Sequence, residues 1–482
     1  MTSPFWRTKS VTSEVGQSSG LKRVFGPWRL IAMGVGVTIG AGLFSLTGVA
    51  AGQYAGPAVT LSFLIAAIAA SFAGLCYAEL AGMLPSGGSA YSYAYTGLGE
   101  GIAWVIGWDL ILEYTVGVAA VASSWSGYGA SLLKSWGIML DPRLLAPPMT
   151  PVTLLDGRHA HAWFNVPSVL ILAFVTLMLM RGMTESSRLN TIVVAIKTFV
   201  IIAMIIACVP FVSSSHFHPF IPANTGTFGS FGFSGVMRAA GMAFMAYIGF
   251  DIVSTAAQDT KNPQRTMPIC ILSSQAICAV IYVIFSAVLI GVVDYRTMAN
   301  DPSPVATAMD AVHIPWLGAL VKAGITFGYI AVVYGLLMGQ SRIVMAMSND
   351  GLLPSCFGRL SKRSKTPNMT HLLTFLVGAL MAGCLPIGVL ANMASIGTLT
   401  AFVIVCAGVT ALRHKAPEAS RYFRVPGGPY VIPALGVLSC GGVMFSMGGL
   451  TWLRLFIWLA IGAVIYVTYS MQHSHLRAHD HS

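Results

Sequence analysis

The feature that most constrains this chain is a succession of long apolar stretches that recurs along nearly its whole length. A bilayer core about 30 Å thick needs about 20 apolar residues in a helix, so each stretch predicts one membrane span. Only 9% of the residues are charged, whereas ordinary soluble domains carry roughly 25%. The pattern excludes a soluble globular protein, a disordered chain and a nucleic-acid-binding protein, despite the formal net charge of +11. We therefore interpret the chain as an all-α polytopic membrane protein.

Twelve spans are predicted when the sequence is read with a window of this length. The first six lie near residues 28–52, 57–83, 99–132, 164–181, 189–212 and 232–257. The second six lie near residues 268–293, 312–340, 369–386, 388–412, 430–449 and 451–471. The longest predicted external loop, 134–163, is too small to form a catalytic domain of its own.

The distribution of Lys and Arg predicts the orientation, because short cytoplasmic loops are enriched in these residues. With the N-terminus inside, most of the 27 Lys and Arg residues fall in cytoplasmic segments. We therefore expect the protein to lie in the cell (inner or plasma) membrane with both termini on the cytoplasmic side. The polar segments 1–27 and 472–482 are interpreted as cytoplasmic tails, the first of them disordered.

Cysteine gives no sign of a disulfide framework, whereas metal binding by histidines, including His159 and His161, is the less favoured of two interpretations. All eight cysteines except Cys356 fall in or beside apolar runs, and none pairs at metal-ligand spacing. We interpret them as small buried hydrophobic residues. The histidines of the C-terminal tail, His473, His475, His479 and His481, are more typical of a flexible segment than of a fixed coordination geometry. No metal ion and no bound cofactor is expected.

Span 1 contains four glycines within nine residues, at Gly34, Gly36, Gly40 and Gly42. Each glycine disfavours a helix interior by about 1 kcal/mol relative to alanine, so the span is predicted to break there. The half-helix after a break presents free N–H groups and the positive end of its dipole, which suit a carboxylate.

Span 6 carries a similar signal at Gly249, beside the acidic Asp251 at membrane depth. A break there exposes backbone carbonyls that suit an ammonium group, and paired breaks of this kind point to a transport site. The two breaks lie five spans apart, and an odd interval reverses the direction through the membrane. We therefore predict inverted repeats over 28–212 and 232–412, followed by two additional spans in 430–471. Alternatively, the glycines only permit close helix packing.

Ionisable residues at membrane depth are costly, and for that reason they are functional candidates. Lys197 lies inside span 5, where its ammonium must find acceptors or lose its proton. It is a candidate for proton coupling or, alternatively, a permanently charged group that takes the place of a sodium ion. Glu113 and Asp109 share one face of span 3, and Asp251 is suited to cap a half-helix. We rank Lys197 first, then Glu113 and Asp251, and Asp109 last.

Other charged residues near the ends of spans do not need a function in transport to explain their positions. Glu79 is as compatible with a solvated helix end as with a functional position. Lys322 and Arg238 lie near external helix ends, where long side chains reach the interface by snorkelling.

With these residues in hand, the sequence resembles the amino acid–polyamine–organocation transporter superfamily, most closely its cationic amino acid transporter branch, over roughly residues 25–470. The resemblance is carried mainly by Ile39-Gly40-Ala41-Gly42-Leu43-Phe44, Pro85-Ser86-Gly87-Gly88-Ser89-Ala90-Tyr91, Gly107-Trp108-Asp109-Leu110-Ile111-Leu112-Glu113-Tyr114 and Ala246-Tyr247-Ile248-Gly249-Phe250-Asp251.

The resemblance implies a leucine-transporter-type fold built as a 5+5 inverted repeat. It also implies that the substrate carboxylate binds at the break in span 1 and the amino group at the carbonyls of span 6. The substrate-binding residues predicted in this way are Thr38, Ile39, Gly40, Ala41, Gly42, Met245, Ala246, Tyr247, Ile248 and Phe250. Tyr247 and Phe250 are candidate gate or packing residues, and Met245 departs from the aromatic residue that is commoner in related sequences. In proton-coupled members a lysine of span 5 takes the place of a sodium ion, and Lys197 matches it.

The predicted function is secondary active import of L-amino acids with protons as the coupling ion, through Lys197 with Glu113 and Asp251 as further candidates. An enzyme is not expected, because the sequence offers no nucleophile–base pair, metal motif or phosphate-binding loop. The expected partners are an L-amino acid and membrane lipid, without nucleic acid, and the protein is expected to work as a monomer. A sodium-independent amino-acid or polyamine exchanger and an amino-acid sensor on the same fold remain alternatives. Both a cationic and a small neutral substrate side chain stay open.

Overall fold

The computed structural model describes residues 4–9, 26–86, 88–154, 156–182, 187–299, 301–362, 364 and 366–476. The two predicted tails are therefore covered only in part. Residues 1–3 and 10–25 of the first tail and residues 477–482 of the second, with His479 and His481, lie outside the described residues.

The described chain is mostly helical. Its helices are α1 (Pro27–Thr38), α2 (Ala41–Phe44), α3 (Leu46–Ala50), α4 (Val59–Met83), α5 (Ala90–Gly97), α6 (Glu100–Ser135), α7 (Val166–Met180), α8 (Ser187–Cys208), α9 (Gly232–Ala243), α10 (Phe250–Thr255), α11 (Pro263–Val292), α12 (Pro304–Val312), α13 (Pro315–Asn349), α14 (Ser355–Gly358), α15 (Asn368–Cys384), α16 (Ile387–Lys415), α17 (Val431–Ser446), α18 (Gly449–Ile465) and α19 (Met471–His473). Two short antiparallel strands, β1 (Pro151–Thr153) and β2 (His159–His161), lie in the predicted external loop between α6 and α7.

The outer surface of the bundle is apolar. On α7, for example, Leu170, Phe174 and Leu177 share one face, and each is more than half exposed. Soluble proteins rarely expose stripes of this kind, whereas lipid covers them. Among the described residues, eight helical stretches are long and apolar enough to cross a membrane, and α7, α15 and α17 are shorter apolar helices. The chain is therefore a multi-pass membrane protein, while the count of twelve spans stays a prediction.

Two long helices show how closely the helix boundaries agree with the predicted spans. The helix predicted over 99–132 is α6, which runs from Glu100 to Ser135. The helix predicted over 312–340 continues as α13 to Asn349. Arg342 lies on this extension, and its guanidinium pairs with the Asp259 carboxylate at 3.0 Å.

Both described termini pack at one end of the bundle, which we call the terminal end. Lys9 Nζ lies 2.7 Å from Asp350 Oδ1, just after α13. The backbone N–H of His475 donates to the Asp350 carbonyl at 3.1 Å. Residues 4–9 are thus packed against the bundle, so the disorder predicted for the whole first tail is wrong for this segment, because Lys9 finds a largely buried carboxylate.

Glu79 is buried at the end of α4 rather than solvated, which corrects one of the two interpretations offered by the sequence. Arg413 donates to both of its carboxylate oxygens, at 2.8 and 2.5 Å. The backbone N–H of Val425 donates to the same carboxylate at 2.7 Å, and Arg421 lies 3.4 Å away. Arg413 lies in the last turn of α16, and the segment after α16 folds back to supply Arg421 and Val425.

Lys322 is also buried, on α13, and its ammonium lies 2.7 Å from Asp310 Oδ1 on α12. Ion pairing rather than simple snorkelling therefore explains its position. Arg238 places its guanidinium 4.7 Å from the centre of the Tyr54 ring, a cation–π contact that suits a charge near a membrane interface.

Candidate functional site

The first helix is broken at the glycine-rich segment that the sequence marks. Helix α1 ends at Thr38, Ile39 is extended and Gly40 is non-helical, and the helix resumes as α2. The first N–H groups of a helix lack intrahelical partners, and no side chain caps the start of α2. These amides are therefore available to an anionic group.

The second break separates α9 from α10. Residues Phe244–Tyr247 form a 3-10 turn, Ile248 is extended, and Gly249 has φ +146°. This conformation is open to glycine and rarely adopted by residues with a side chain. Because α9 ends here, its last carbonyls lose their helical donors and can accept from a cationic group.

Asp251 lies in the first turn of the second half-helix, whose N-cap is Gly249 without a side-chain cap hydrogen bond, so the capping role expected for Asp251 takes a different form. Its Oδ1 accepts from the backbone N–H of Gly249 at 2.9 Å, and its Oδ2 accepts from the Tyr114 hydroxyl at 2.7 Å. The carboxylate thereby fixes the break and ties α10 to α6. Its proposed part in proton coupling stays a prediction.

The two breaks touch each other, and glycines make this approach possible. A Cβ on Gly249 would lie 2.2 Å from the Thr38 hydroxyl oxygen, and one on Gly42 would lie 2.3 Å from Ala246 Cα. A Cβ on Gly36 would lie 2.2 Å from a side chain of α8. These glycines therefore also permit close helix packing, which is the alternative that the sequence left open. The packing role and the helix breaks occur together.

A small cavity of about 20 Å³ lies between the breaks. Its lining residues are Val37, Thr38, Gly40, Ala41, Gly42, Gly117, Val121, Met245, Ile248, Val332 and Leu336. The Thr38 hydroxyl is buried there without a hydrogen-bond partner among the described residues. Since buried hydroxyls are normally bonded, this group and the free backbone groups form a polar corner in an otherwise apolar cavity.

Six of the ten predicted binding residues line this cavity. They are Thr38, Gly40, Ala41, Gly42, Met245 and Ile248. The other four, Ile39, Ala246, Tyr247 and Phe250, lie outside its lining. The Tyr247 hydroxyl donates to the Phe63 carbonyl at 2.9 Å. Phe250 packs with its ring centre 5.0 Å from that of Phe402, so both aromatic residues have packing contacts.

Sequence reasoning missed the cavity walls that come from α1, α6 and α13. These residues are Val37, Gly117, Val121, Val332 and Leu336. Gly117 and Val121 lie one and two turns after Glu113 on the same face of α6, which is the one signal that pointed to them. The α13 pair lies in an unbroken apolar run without a comparable mark.

Lys197 contacts the end of the first half-helix. Its ammonium donates to the Gly36 carbonyl at 2.9 Å, and its side chain is buried. The stem lies against α13, where a Cβ on Gly328 would be 3.0 Å from Lys197 Cδ. Within the described residues it has no carboxylate partner, so a backbone carbonyl is the acceptor that compensates for its burial.

Glu113 and Asp109 are buried on one face of α6. Neither carboxylate has a hydrogen-bond partner among the described residues. The neighbouring Thr398 hydroxyl donates to the Ala394 carbonyl at 3.0 Å, and a Cβ on Gly397 would lie 3.1 Å from Asp109 Oδ1. Groups of three or more His, Cys, Asp or Glu placed to hold a metal ion are absent from the described part of the chain.

Hydrogen bonds close the bundle between the cavity and the end opposite the termini. The Tyr128 hydroxyl donates to the Phe44 carbonyl at 2.7 Å and accepts from the Val305 N–H at 3.2 Å. The Ser45 hydroxyl donates to the Pro302 carbonyl at 2.9 Å. These bonds join the end of α2 to Pro302 and to the start of α12, in part through Tyr128 of α6.

Residues 25–468 match the family model for amino acid permeases. The chain is similar along nearly its whole length to two proteins of Bacillus subtilis. It is 39% identical to a methylthioribose transporter over 96% of each chain, and 39% identical to the branched-chain amino acid permease BcaP over 98% of each.

It is also 38% identical to the vacuolar cationic amino acid transporter 2 of Arabidopsis thaliana, over 86% of this chain and 63% of that one.

Proposed function

The chain belongs to the amino acid permease family, and from this premise we propose that it is a proton-coupled transporter that imports L-amino acids across the cell membrane. The family and the named relatives are transporters rather than enzymes. The relatives are named for methylthioribose, for branched-chain and for cationic amino acids, so their names do not agree on one substrate side chain.

The contact that carries the proposal of proton coupling is the hydrogen bond from Lys197 to the Gly36 carbonyl. The last carbonyls of α1 have no helical donors, and such carbonyls suit a cation. An ammonium at this position supplies a positive charge without sodium. Because the charge depends on a proton, gain and loss of that proton change what holds α1 in place.

We propose that protonated Lys197 fastens the end of α1 to α8, and that loss of the proton releases it. Loss of the proton removes the charge and leaves a neutral amine, whose hydrogen bond to the Gly36 carbonyl is weaker than that of the ammonium. The position of α1 thereby depends on whether Lys197 is protonated. A proton that Lys197 takes up on one side of the membrane and releases on the other crosses together with the substrate. Glu113 of α6 and Asp251 at the second break are auxiliary groups.

The substrate pose follows from the free backbone groups of the two breaks. The carboxylate accepts from the N–H groups at Gly40, Ala41 and Gly42, with the Thr38 hydroxyl beside them. The ammonium donates to the carbonyls around Ile248 and the turn before it, which includes the predicted Met245 and Ala246. One end of the amino acid thus bridges both broken helices.

The paired breaks also support the finer architecture. We propose a leucine-transporter-type 5+5 inverted repeat followed by two additional spans, working as a monomer. The terminal end then faces the cytoplasm, as the excess of Lys and Arg in the intervening loops favours.

Flux into proteoliposomes tests the proposal. In sodium-free buffer, an inward proton gradient should drive accumulation of a labelled L-amino acid, and a protonophore should abolish it. Uptake that needs sodium and ignores pH would contradict proton coupling. Counterflow without net uptake would identify the exchanger, and binding without flux would identify the sensor.

A further inference from the structure

One arginine at the end of the bundle opposite the termini has an aromatic ring beside it but no carboxylate. The Arg238 guanidinium of α9 lies 4.7 Å from the centre of the Tyr54 ring. Its Nε is buried without a hydrogen-bond partner, and it takes part in no ion pair among the described residues. Arginine keeps its proton in proteins, so this half-buried side chain carries a permanent charge that no acid balances.

The other cations that lie over aromatic rings in the described chain differ from Arg238 in this respect. They are one lysine and two arginines, and each of them also pairs with a carboxylate. The pairs are Lys9–Asp350 at 2.7 Å, Arg143–Asp141 at 2.7 Å and Arg296–Asp294 at 3.4 Å. A ring is uncharged and does not take the place of such an anion, so the contact with Tyr54 leaves Arg238 able to bind one.

The guanidinium of Arg238 lies against the turn between α17 and α18. A Cβ on Gly448 in this turn would be 3.0 Å from Arg238 Nη2 and 4.0 Å from Nε, so the edge formed by these two nitrogens faces the turn. The stem is fixed on its other side, where a Cβ on Gly229 would be 2.5 Å from Arg238 Cδ. Two neighbouring nitrogens of a guanidinium bind a pair of phosphate oxygens.

The start of α18 adds a second group that suits an anion at the same place. Gly448 is the N-cap of this 17-residue helix, no side chain caps it, and its first turn holds no acidic residue. The first N–H groups of a helix lack intrahelical partners and lie at the positive end of its dipole. The unpaired edge of Arg238 and these N–H groups therefore meet at Gly448, where they can share one anion.

This place lies at the surface of the membrane. The turn joins two apolar helices, α17 and α18, so it lies at the level of the lipid headgroups. Phe445 and Leu450 flank the turn, and both side chains are largely exposed. A phospholipid presents both a phosphate to the turn and acyl chains to these side chains.

We infer that Arg238 and the start of α18 bind a phosphate group, and that a phospholipid of the adjacent leaflet supplies it. Nε and Nη2 of Arg238 donate to phosphate oxygens, and the free N–H groups of α18 donate to the same phosphate. The acyl chains extend along the apolar surface beside Phe445 and Leu450. Basic positions between spanning helices are suited to headgroup recognition of this kind.

A phosphate at this site would also join parts of both broken helices. Arg238 belongs to α9, the first half of the second one. Tyr54 lies in the segment Ala51–Ala55, which follows α3 of the first one. The Tyr54 carbonyl accepts from the N–H of Phe231, just before α9, at 2.9 Å. Because the ligand binds the folded arrangement of these parts, it should stabilise the protein against unfolding.

The test uses the full chain, purified in a detergent that contains no phosphate. The probes are dioleoylphosphatidylglycerol, dioleoylglycerol, which has the same chains without the phosphate, and inorganic phosphate. Native mass spectrometry measures the bound probe, and thermal unfolding measures the stabilisation. Wild type should bind phosphatidylglycerol about tenfold more tightly than dioleoylglycerol, as expected for charge-assisted hydrogen bonds, and should unfold at a higher temperature in its presence. Inorganic phosphate should bind more weakly, because it lacks the chains.

Two variants change the site in different ways. Arg238→Gln removes the charge and the paired nitrogens, and it should weaken binding of phosphatidylglycerol about tenfold. Gly448→Ala keeps the charge, but its methyl group would lie 3.0 Å from Nη2 and pushes the guanidinium away from the start of α18. Gly448 has φ −63°, which alanine adopts freely, so this variant should fold even if Arg238→Gln does not. It should weaken binding by a smaller factor.

The chain offers a matched control for each variant. Arg296→Gln makes the same substitution at an arginine that lies over a ring and has its own carboxylate. Gly441→Ala on α17 adds the same methyl group where no atom lies within 4 Å. Both controls should bind phosphatidylglycerol as wild type does.

The outcomes decide both the site and the source of its phosphate. Equal binding of dioleoylglycerol and phosphatidylglycerol, or wild-type binding by both site variants, would overturn the phosphate site. A loss in Arg296→Gln as large as that in Arg238→Gln would overturn it as well, since any arginine at this surface would then serve. Binding of inorganic phosphate without binding of phospholipid would keep the phosphate site and overturn its assignment to lipid. These measurements involve no amino acid flux, so they stand apart from the proposed function.

Discussion

Charged side chains are buried both at the ends of the helices and beside the two breaks, yet their partners differ. At the ends, Glu79 receives two hydrogen bonds from Arg413, and Lys322 lies 2.7 Å from the Asp310 carboxylate. Beside the breaks, Lys197 has a backbone carbonyl as its acceptor. Glu113 has no hydrogen-bond partner among the described residues.

This difference separates charges that hold the fold from charges that can change state. A buried ion that is paired with an opposite charge keeps its protonation, because losing the charge would strand its partner. A buried group without an ionic partner is not held in one protonation state in this way. Its protonation responds to a nearby ligand or to a helix movement, and this is the property that coupling to a proton gradient needs.

The largest effect is expected from Lys197→Met, which removes the charge beside the first break and keeps an apolar stem. Proton-driven accumulation should fall to background, because α1 loses the group whose protonation links it to the gradient. Counterflow exchange should persist, since the substrate contacts are backbone groups. Uptake and counterflow in proteoliposomes measure the two separately. Wild-type accumulation by this variant would contradict the role of Lys197.

Glu79→Gln breaks the most fully paired charge at the helix ends and should act on stability instead. Removing one partner of a buried ion pair costs about 3–5 kcal/mol of unfolding free energy, because Arg413 is left without its carboxylate. Denaturant unfolding in detergent measures the loss, and amino acid affinity should stay unchanged.

Asp156→Asn is the matched acid-to-amide control, because Asp156 pairs with the largely exposed Arg158. Pairs of this kind contribute about 0–1 kcal/mol. A Glu79→Gln protein as stable as this control would mean that burial of the pair contributes little.

The features that the sequence predicts are those that depend on local chemistry. Apolar length is set by the bilayer, so α6 lies within a few residues of its predicted bounds. The breaks follow from glycine, and the hydrogen bond from the Gly249 N–H to Asp251 joins residues that are two apart in the chain. These signals lie within a few residues of the structure that they specify.

The features that the sequence does not predict depend on which distant faces meet. Glu79 and Arg413 are 334 residues apart in the chain, and neither carries a local sign of the other. The Val332 and Leu336 wall belongs to an apolar helix whose every face looks alike in sequence. Its part in the cavity is decided by how α13 packs against α6, and this packing has no signature in composition or periodicity.

Glu113→Gln tests the unpaired carboxylate with a neutral side chain of the same shape. Accumulation should fall on the order of tenfold, equivalent to about 1.4 kcal/mol, and its dependence on external pH should flatten, while binding is kept. Asp109→Asn is the matched control on the same face of α6, and it should have a smaller effect. The reverse order of the two variants would transfer the auxiliary role to Asp109.

The smallest effect is expected from Lys322→Met, which makes the same substitution as the Lys197 variant at a paired lysine. The Asp310 side chain is 67% exposed, so water compensates for its charge when the lysine is removed, and the methionine keeps the apolar stem packed on α13. The unfolding free energy should change by less than about 1 kcal/mol, and proton-driven accumulation should stay normal. Combining it with Asp310→Asn measures the coupling between the two residues. If Lys322→Met instead abolished accumulation as fully as Lys197→Met, ionic pairing would no longer distinguish structural lysines from coupling lysines in this protein.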